Sequence, residues 1–242
     1  MKRRLETREK TRGDEPANLK RKFLMSEKIE EVASSKTRRN ISRSLSWLLR
    51  HGIKKCGLKV RDDGYVKLED VLTCEHKRVR RNFEIATKDL IRDIVKRCPK
   101  QRFRIEFFDG VEYIRANQGH SIRGIISDEK LLKRIKTPIK TCVHGTFSEA
   151  WSKIKKSGGL SKMTRNHIHF AKGLPGDDTV ISGMRRTCDV FIYVNVGKCL
   201  ESDIPFFESA NGVLLSPGNE KGVIPISMFE KVVSRVDGRS LL

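Results

Sequence analysis

At 242 residues with 37% hydrophobic content, the chain exceeds a typical single domain and can bury two modest cores with a cleft between them. Its 51 Lys+Arg against 30 Asp+Glu give a formal charge of +21, an excess that calls for an anionic partner such as nucleic acid. A membrane role is disfavoured: no run nears the ~18 apolar residues of a spanning helix, and the opening MKRRLETREKTRGDEP has no secretory apolar stretch. Six cysteines without any C-x-x-C spell neither a zinc site nor a disulfide framework, so reduced thiols in an intracellular protein are expected, in cytoplasm or nucleus.

Residues 1–36 alternate charges with few large apolar groups and no sustained period, the pattern of a disordered basic arm, with solubility, RNA holding or nuclear import as its candidate roles. From Thr37 onward Ile41, Leu45, Leu48 and Leu49 form one helical stripe, with Gly52 as its stop. At 100° per residue Arg50 points roughly 155° from the centre of that stripe and His51 roughly 105°, so neither is a core position. A strand over 64–66 leads into a further helix start. TKDLIRDIVKRC then places Leu90, Ile91, Ile94 and Val95 on one helical face that Pro99 ends. In KQRFRIEFFDGVEYI, Phe103, Ile105 and Phe107 alternate with charged residues ahead of an Asp109-Gly110 hairpin turn. Helices followed by a basic hairpin predict a winged-helix lobe.

The second half is richer in short strands. TCVHGTF reads as a buried strand, Ser148 as the N-cap of helix EAWSKIKKS, and Gly158-Gly159 as its end. NHIHFA, DVFIYVNV and NGVLLSP follow as strands between polar loops, which gives an α+β fold class with a β-rich C-terminal lobe.

Arg50-His51 has two readings: basic groups complementing the dipole of a helix's last turn, or a phosphate clamp built from a planar guanidinium and an adjacent imidazole donor. Arg102, on the polar face of the hairpin, favours the clamp. Arg165, His167 and His169 in TRNHIHF would share one face of a strand. With His144 they suggest a metal site, but no carboxylate or cysteine is spaced to complete one, so no metal is expected. A pocket for a phosphorylated ligand fits better, with Gly145 admitting close backbone approach and Thr146 supplying a hydroxyl. Neither a Rossmann glycine fingerprint nor a P-loop occurs.

Taken in order, ISRSLSWLLRHG, KQRF, IRANQGHSI, HGT, GLSKMTRNHIHFA, SGMR and IPFFESANGVLLSPG make the chain resemble the NAD-dependent RNA (tRNA) 2'-phosphotransferase family from about Ile41 to Phe229. The resemblance implies an N-terminal winged-helix lobe over 37–118 that binds RNA, and an ADP-ribosyltransferase-like lobe over 119–242 that binds NAD+ as co-substrate. It implies a reaction in which an internal RNA 2'-phosphate, as at a ligated tRNA splice junction, passes to NAD+. The products are 2'-OH RNA, ADP-ribose 1'',2''-cyclic phosphate and nicotinamide, by way of an ADP-ribosylated RNA phosphate. The family's essential set maps onto Arg50, His51, Arg102 and Arg165. His120, Ser121, His144, Gly145, Thr146, His169, Ser182, Gly183, Arg185 and Val213 are the implied NAD contacts, Val213 standing where many ADP-ribosyltransferases carry a glutamate. A monomer is expected. The competing readings are a related ADP-ribosyltransferase that caps terminal phosphates, and a non-catalytic RNA-binding protein.

Overall fold

The computed structural model describes residues 34–242 except Arg123, Asp178, Thr179 and Arg186. The basic arm expected over 1–36 therefore lies outside the described residues, apart from its last three. Those three open a helix: Ser34 caps it, accepting from the Thr37 amide, and α1 runs over Ser35–Trp47. Helices α2 (Leu68–Leu72), α3 (Arg80–Phe83) and α4 (Lys88–Lys96) follow, α4 capped by the Thr87 hydroxyl. They pack against a three-stranded antiparallel sheet in the order β1-β3-β2, formed by β1 (Val66–Lys67), β2 (Phe103–Phe108) and β3 (Val111–Ala116). Asp109 and Gly110 both adopt positive φ, so the β2–β3 hairpin turns where the sequence places it. Ile41, Leu45, Leu48 and Leu49 enter one core with Leu90, Ile91, Phe103 and Ile114, as their periodicity predicts.

A second core is assembled from residues between Cys142 and Val232. Here β4 (Lys133–Ile135), β9 (Phe206–Glu208), β10 (Leu214–Ser216) and β7 (Ile168–Phe170) form a sheet in that order. Another holds β12 (Phe229–Ser234), β8 (Val190–Val194) and β5 (Val143–Thr146). The two sheets join edge to edge where Val143 and Ala171 exchange both backbone hydrogen bonds, at 3.0 and 2.9 Å. A two-stranded sheet pairs β6 (Gly159–Ser161) with β11 (Val223–Pro225). All the pairings are antiparallel, so the chain is a mixed α+β protein.

The expected N-cap at Ser148 is corrected. Helix α6 (Ser148–Ser157) is capped by Phe147 in position, and Ser148 is its first helical residue. Asp189, at the mouth of β8, supplies the acceptor instead, taking the Ser148 amide and hydroxyl at 3.0 Å each. A carboxylate arriving from a distant strand satisfies the helix start better than the local hydroxyl, because it complements the dipole with a full charge. Two short helices complete the chain, α5 (Asp128–Leu131) ahead of β4 and α7 (Val196–Glu201) after β8.

Candidate active site

Beyond Trp47 helix α1 widens into a π turn, Leu48–Gly52, that carries Arg50 and His51. Leu48 and Leu49 keep the turn in the core. Arg50 lies outside the core, as its angle predicts, but it is half-buried and its Nε is covered. The segment Gln118–Ile122 covers it. Gly119 sits at φ +88°, and a Cβ there would come within 3.4 Å of the Arg50 side chain, so the guanidinium lies flat against glycine backbone. The Ser121 amide donates to the Arg50 carbonyl at 3.0 Å, and the Ser121 hydroxyl meets His51 Nδ1 at 2.8 Å. Ser121 thus orients the histidine, a role the sequence does not disclose.

Arg102 enters from a turn held at three successive carbonyls. Asn211 Nδ2 donates to the Lys100 carbonyl at 2.9 Å, Asn117 Nδ2 to that of Gln101 at 2.6 Å, and the Asn117 amide to that of Arg102 at 2.9 Å. Gln101 is held at φ +42°, a conformation that side chains seldom adopt without such support. Arg165 is exposed and lies in a turn, not on the expected strand, because β7 begins only at Ile168. Its neighbour Asn166 ties that turn to the covering segment, donating from its amide to the His120 carbonyl at 3.0 Å and from its side chain to the Ile122 carbonyl at 3.1 Å.

These ties bring the cations together. Burial first, then the charges of Arg102 and Arg165, push Arg50 down to about 10, so it stays cationic at neutral pH but under repulsion that an anion would relieve. No Asp or Glu contributes to that balance, and Arg50 Nε has no hydrogen-bond partner among the described residues. Burial, with Arg50, Arg165, Arg78 and Lys55, also holds His51 below the ordinary imidazole value. His120 is 3% exposed with an unpartnered Nε2, and burial beside Arg50 pushes it down to about 3.

The remaining predicted contacts divide. His169 Nε2 meets Gln118 Oε1 at 2.9 Å, and His144 Nδ1 donates to the His169 carbonyl at 2.9 Å, which leaves His144 Nε2 as the free ring nitrogen. His169 is pushed down to about 3 by burial and then Arg165. His167 is corrected: its Nε2 lies 2.9 Å from Asp128 Oδ2 and its ring is buried, so it braces α5 and does not share a binding face with Arg165. Gly145 is crowded on the side a side chain would take. A Cβ there would come within 2.7 Å of Cys188 Sγ and 3.0 Å of Met184, so its bareness lets the loop of Ser182, Gly183 and Arg185 fold onto β5. Gly183 likewise presses on the Phe170 carbonyl. Thr146 is buried, its carbonyl accepting from the Asp189 amide, and the Arg185 guanidinium stands 5.8 Å from the Phe147 ring centre. Val213 is corrected from contact residue to core: it is 0% exposed among Leu131, Leu132, Phe207 and Leu215.

Asn117, Gln118, Asn166 and Asn211 are the residues that sequence reasoning passed over. Each lies inside a motif already quoted for other members, and a polar amide in a buried stretch was the available signal.

The α+β scaffold half-buries one guanidinium, with no carboxylate partner among the described residues, and gathers two more with an imidazole near it. A family model described as "RNA 2'-phosphotransferase, Tpt1 / KptA family" matches residues 36–218. The chain is 40% identical over 200 residues to the Danio rerio "tRNA 2'-phosphotransferase 1", covering 79% of this chain and 83% of that one. It is 36% identical over 198 residues to the Saccharomyces cerevisiae "tRNA 2'-phosphotransferase", with 80% and 82% covered. A longer Schizosaccharomyces pombe relative is 41% identical over 203 residues, and the chain spans 52% of its length. The chain belongs to the RNA 2'-phosphotransferase family of enzymes.

Proposed function

We propose that this chain removes an internal 2'-phosphate from RNA, with ligated tRNA as the substrate class, by transferring it to NAD+. In this reading α1 to α4 with the β1-β3-β2 sheet are a winged-helix lobe over 37–118, and the joined sheets beyond are an ADP-ribosyltransferase-like lobe. The observation that carries it is the half-buried Arg50 guanidinium, with no carboxylate partner among the described residues and with Arg102 and Arg165 lowering its pKa. Three neighbouring cations suit a dianionic phosphate monoester and oppose any neutral ligand.

The donor set also fits NAD+: the second ring nitrogen of His144 offers a hydrogen bond, and Arg165 offers charge for phosphates. NAD+ supplies an electrophilic ribose carbon whose leaving group is nicotinamide. The chain's own part is placement. Arg50, Arg102 and His51 seat and orient the RNA phosphate, and fixing two reactants in this way is worth roughly 7–11 kcal/mol. His51, neutral at pH 7 and steered by Ser121, is placed to hydrogen-bond a phosphate oxygen. Arg165 stabilises charge on the phosphoryl group in the closing transesterification. No metal enters the proposal.

The test uses NAD+ and an RNA with one labelled internal 2'-phosphate. Label should appear in a cyclic ADP-ribose phosphate. Label retained on ADP-ribosylated RNA would favour the phosphate-capping alternative, and RNA binding without nicotinamide release the non-catalytic one. Arg165→Ala should accumulate the ADP-ribosylated RNA, whereas Arg50→Ala should block its formation, with a loss on the order of 10²–10³-fold. Wild-type turnover by Arg165→Ala would remove that residue from the mechanism.

A further inference from the structure

Helix α1 carries a second stripe beside its buried one. Asn40, Arg43, Ser44 and Trp47 stand at i, i+3, i+4 and i+7, and with Arg78 and Asn82 they line an open hollow of about 200 Å³. The hollow is built rather than incidental. Asn82 Nδ2 donates to Ser44 Oγ at 2.8 Å, fixing α3 against α1. The Arg78 guanidinium lies over the Trp47 indole at 4.8 Å, and the His76 ring stands 5.0 Å from the same indole at 36°. The Arg78 amide donates to His76 Nδ1 at 3.2 Å, so the loop that presents Arg78 is pinned to the aromatic pair.

Its charge is uncompensated. Among the described residues Arg38, Arg80, Arg92 and Arg97 all have carboxylate partners, whereas Arg43 and Arg78 have none. The lining contains two cations, two amides, a hydroxyl and an indole, and no acid. Such a mixture suits a single-stranded nucleotide: arginines for the phosphodiester, amides for base edges, a flat cationic and aromatic surface for the base itself.

Its place in the chain ties it to the active site. Trp47 is the last residue of α1 before the π turn that holds Arg50 and His51. Its indole rests on Gly52 at the other end of that turn, where an added Cβ would lie 2.8 Å from the ring. Arg78 is also near enough for its charge to act on His51. A strand whose phosphorylated ribose sits at Arg50 would therefore run onto this hollow with an adjacent nucleotide.

We propose that the hollow bounded by Arg43, Trp47 and Arg78 is a subsite for an unpaired nucleotide of the RNA, flanking the one that bears the 2'-phosphate. This rests on the RNA 2'-phosphotransferase reading and adds a determinant of substrate length. It predicts that affinity rises when the RNA is extended far enough to fill the subsite, and that the gain depends on the two arginines.

The experiment measures binding of single-stranded RNAs bearing only 2'-OH groups, from one to eight nucleotides, by fluorescence anisotropy across a salt series, so that it does not depend on catalysis. Thermal unfolding of each variant checks its fold. For Arg43→Ala/Arg78→Ala the longer RNAs should bind about tenfold more weakly, and the slope of log affinity against log salt should fall by about 1.4, at roughly 0.7 per lost single-strand phosphate contact. A mononucleotide, too short to reach the hollow, should be unaffected. Unchanged affinity for long RNAs in the double variant overturns the proposal. So does an equal loss for short and long RNAs, which would place the arginines at the catalytic centre, or a change confined to the KM for NAD+, which would assign the hollow to the dinucleotide. If length-dependent binding is lost as expected but the wild type shows no phosphate transfer, the subsite stands and the reaction assigned above fails.

Discussion

Arg102 shows how a single side chain is aimed by atoms outside its own element. Three consecutive carbonyls, those of Lys100, Gln101 and Arg102, are each taken by a donor from Asn117 or Asn211. One of those asparagines lies just after β3 and the other just before β10, so the turn is gripped from both halves of the chain. Asn211→Ala would leave the Lys100 carbonyl unpartnered, at a cost of about 1–3 kcal/mol, and would free the strained Gln101 to relax. Activity should fall more steeply than stability. Turnover of a 2'-phosphorylated RNA should drop by at least tenfold while the urea midpoint shifts modestly, and a variant with normal turnover would show that Arg102 needs no such grip. The sequence discloses Arg102 itself, within KQRF, but not its supports. Hydrogen bonds between separate elements, one of them across 111 residues, leave no mark in local spacing.

Among elements, those with an apolar period were legible and those defined by backbone registration were not. Periods of 3.6 and 2 located α1, α4 and the β2–β3 hairpin, because burial of one face dictates the pattern. The π turn was missed, since one additional residue in a turn changes no composition, yet it carries both Arg50 and His51. Strand β7 proved shorter than the alternation in NHIHF suggested: it starts at Ile168, and the Asn166 amide is bonded to the His120 carbonyl instead of a neighbouring strand. The π turn is clasped between Trp47 and Gly52. Gly52 has an ordinary negative φ, so Gly52→Ala acts through space alone: the new methyl meets the indole at 2.8–3.1 Å and must displace it or the turn. Overpacking of this kind costs about 1–3 kcal/mol, and the expected signature is loss of turnover beyond that modest destabilisation. Trp47→Leu in the same chain should recover part of the stability, a rescue readable by thermal unfolding. Additive losses in the double variant would mean that the two residues do not share the clash.

At the scale of the whole molecule, net charge and buried imidazoles act in one direction as the solution is acidified. The chain already carries +21, and lowering the pH adds positive charge to a protein that must hold Arg50, Arg102 and Arg165 together. His120 is the sharpest case. Burial, and next to it Arg50, hold it neutral down to about 3, whereas in the unfolded chain it takes up a proton near the ordinary value of 6.5. Between those two values the unfolded state binds the extra proton, so stability is full above about pH 6.5 and declines as the pH falls toward 3. His169 has the same depressed value and adds to the decline with the same sign. The loss attributable to His120 alone is about 1 kcal/mol by pH 5.5, which for a chain of this size corresponds to a midpoint lower by about 2–4 °C. Thermal unfolding from pH 7.5 to 5 reads this directly. His120→Gln should flatten part of the slope, because the amide has no proton to gain. Inorganic phosphate should raise the midpoint most near pH 7.5, where it is largely the dianion that the three cations suit. A pH profile identical in wild type and His120→Gln would mean that His120 is hydrated enough to titrate normally. The cationic pocket would then be far wetter than the packing of Gly119 on Arg50 implies.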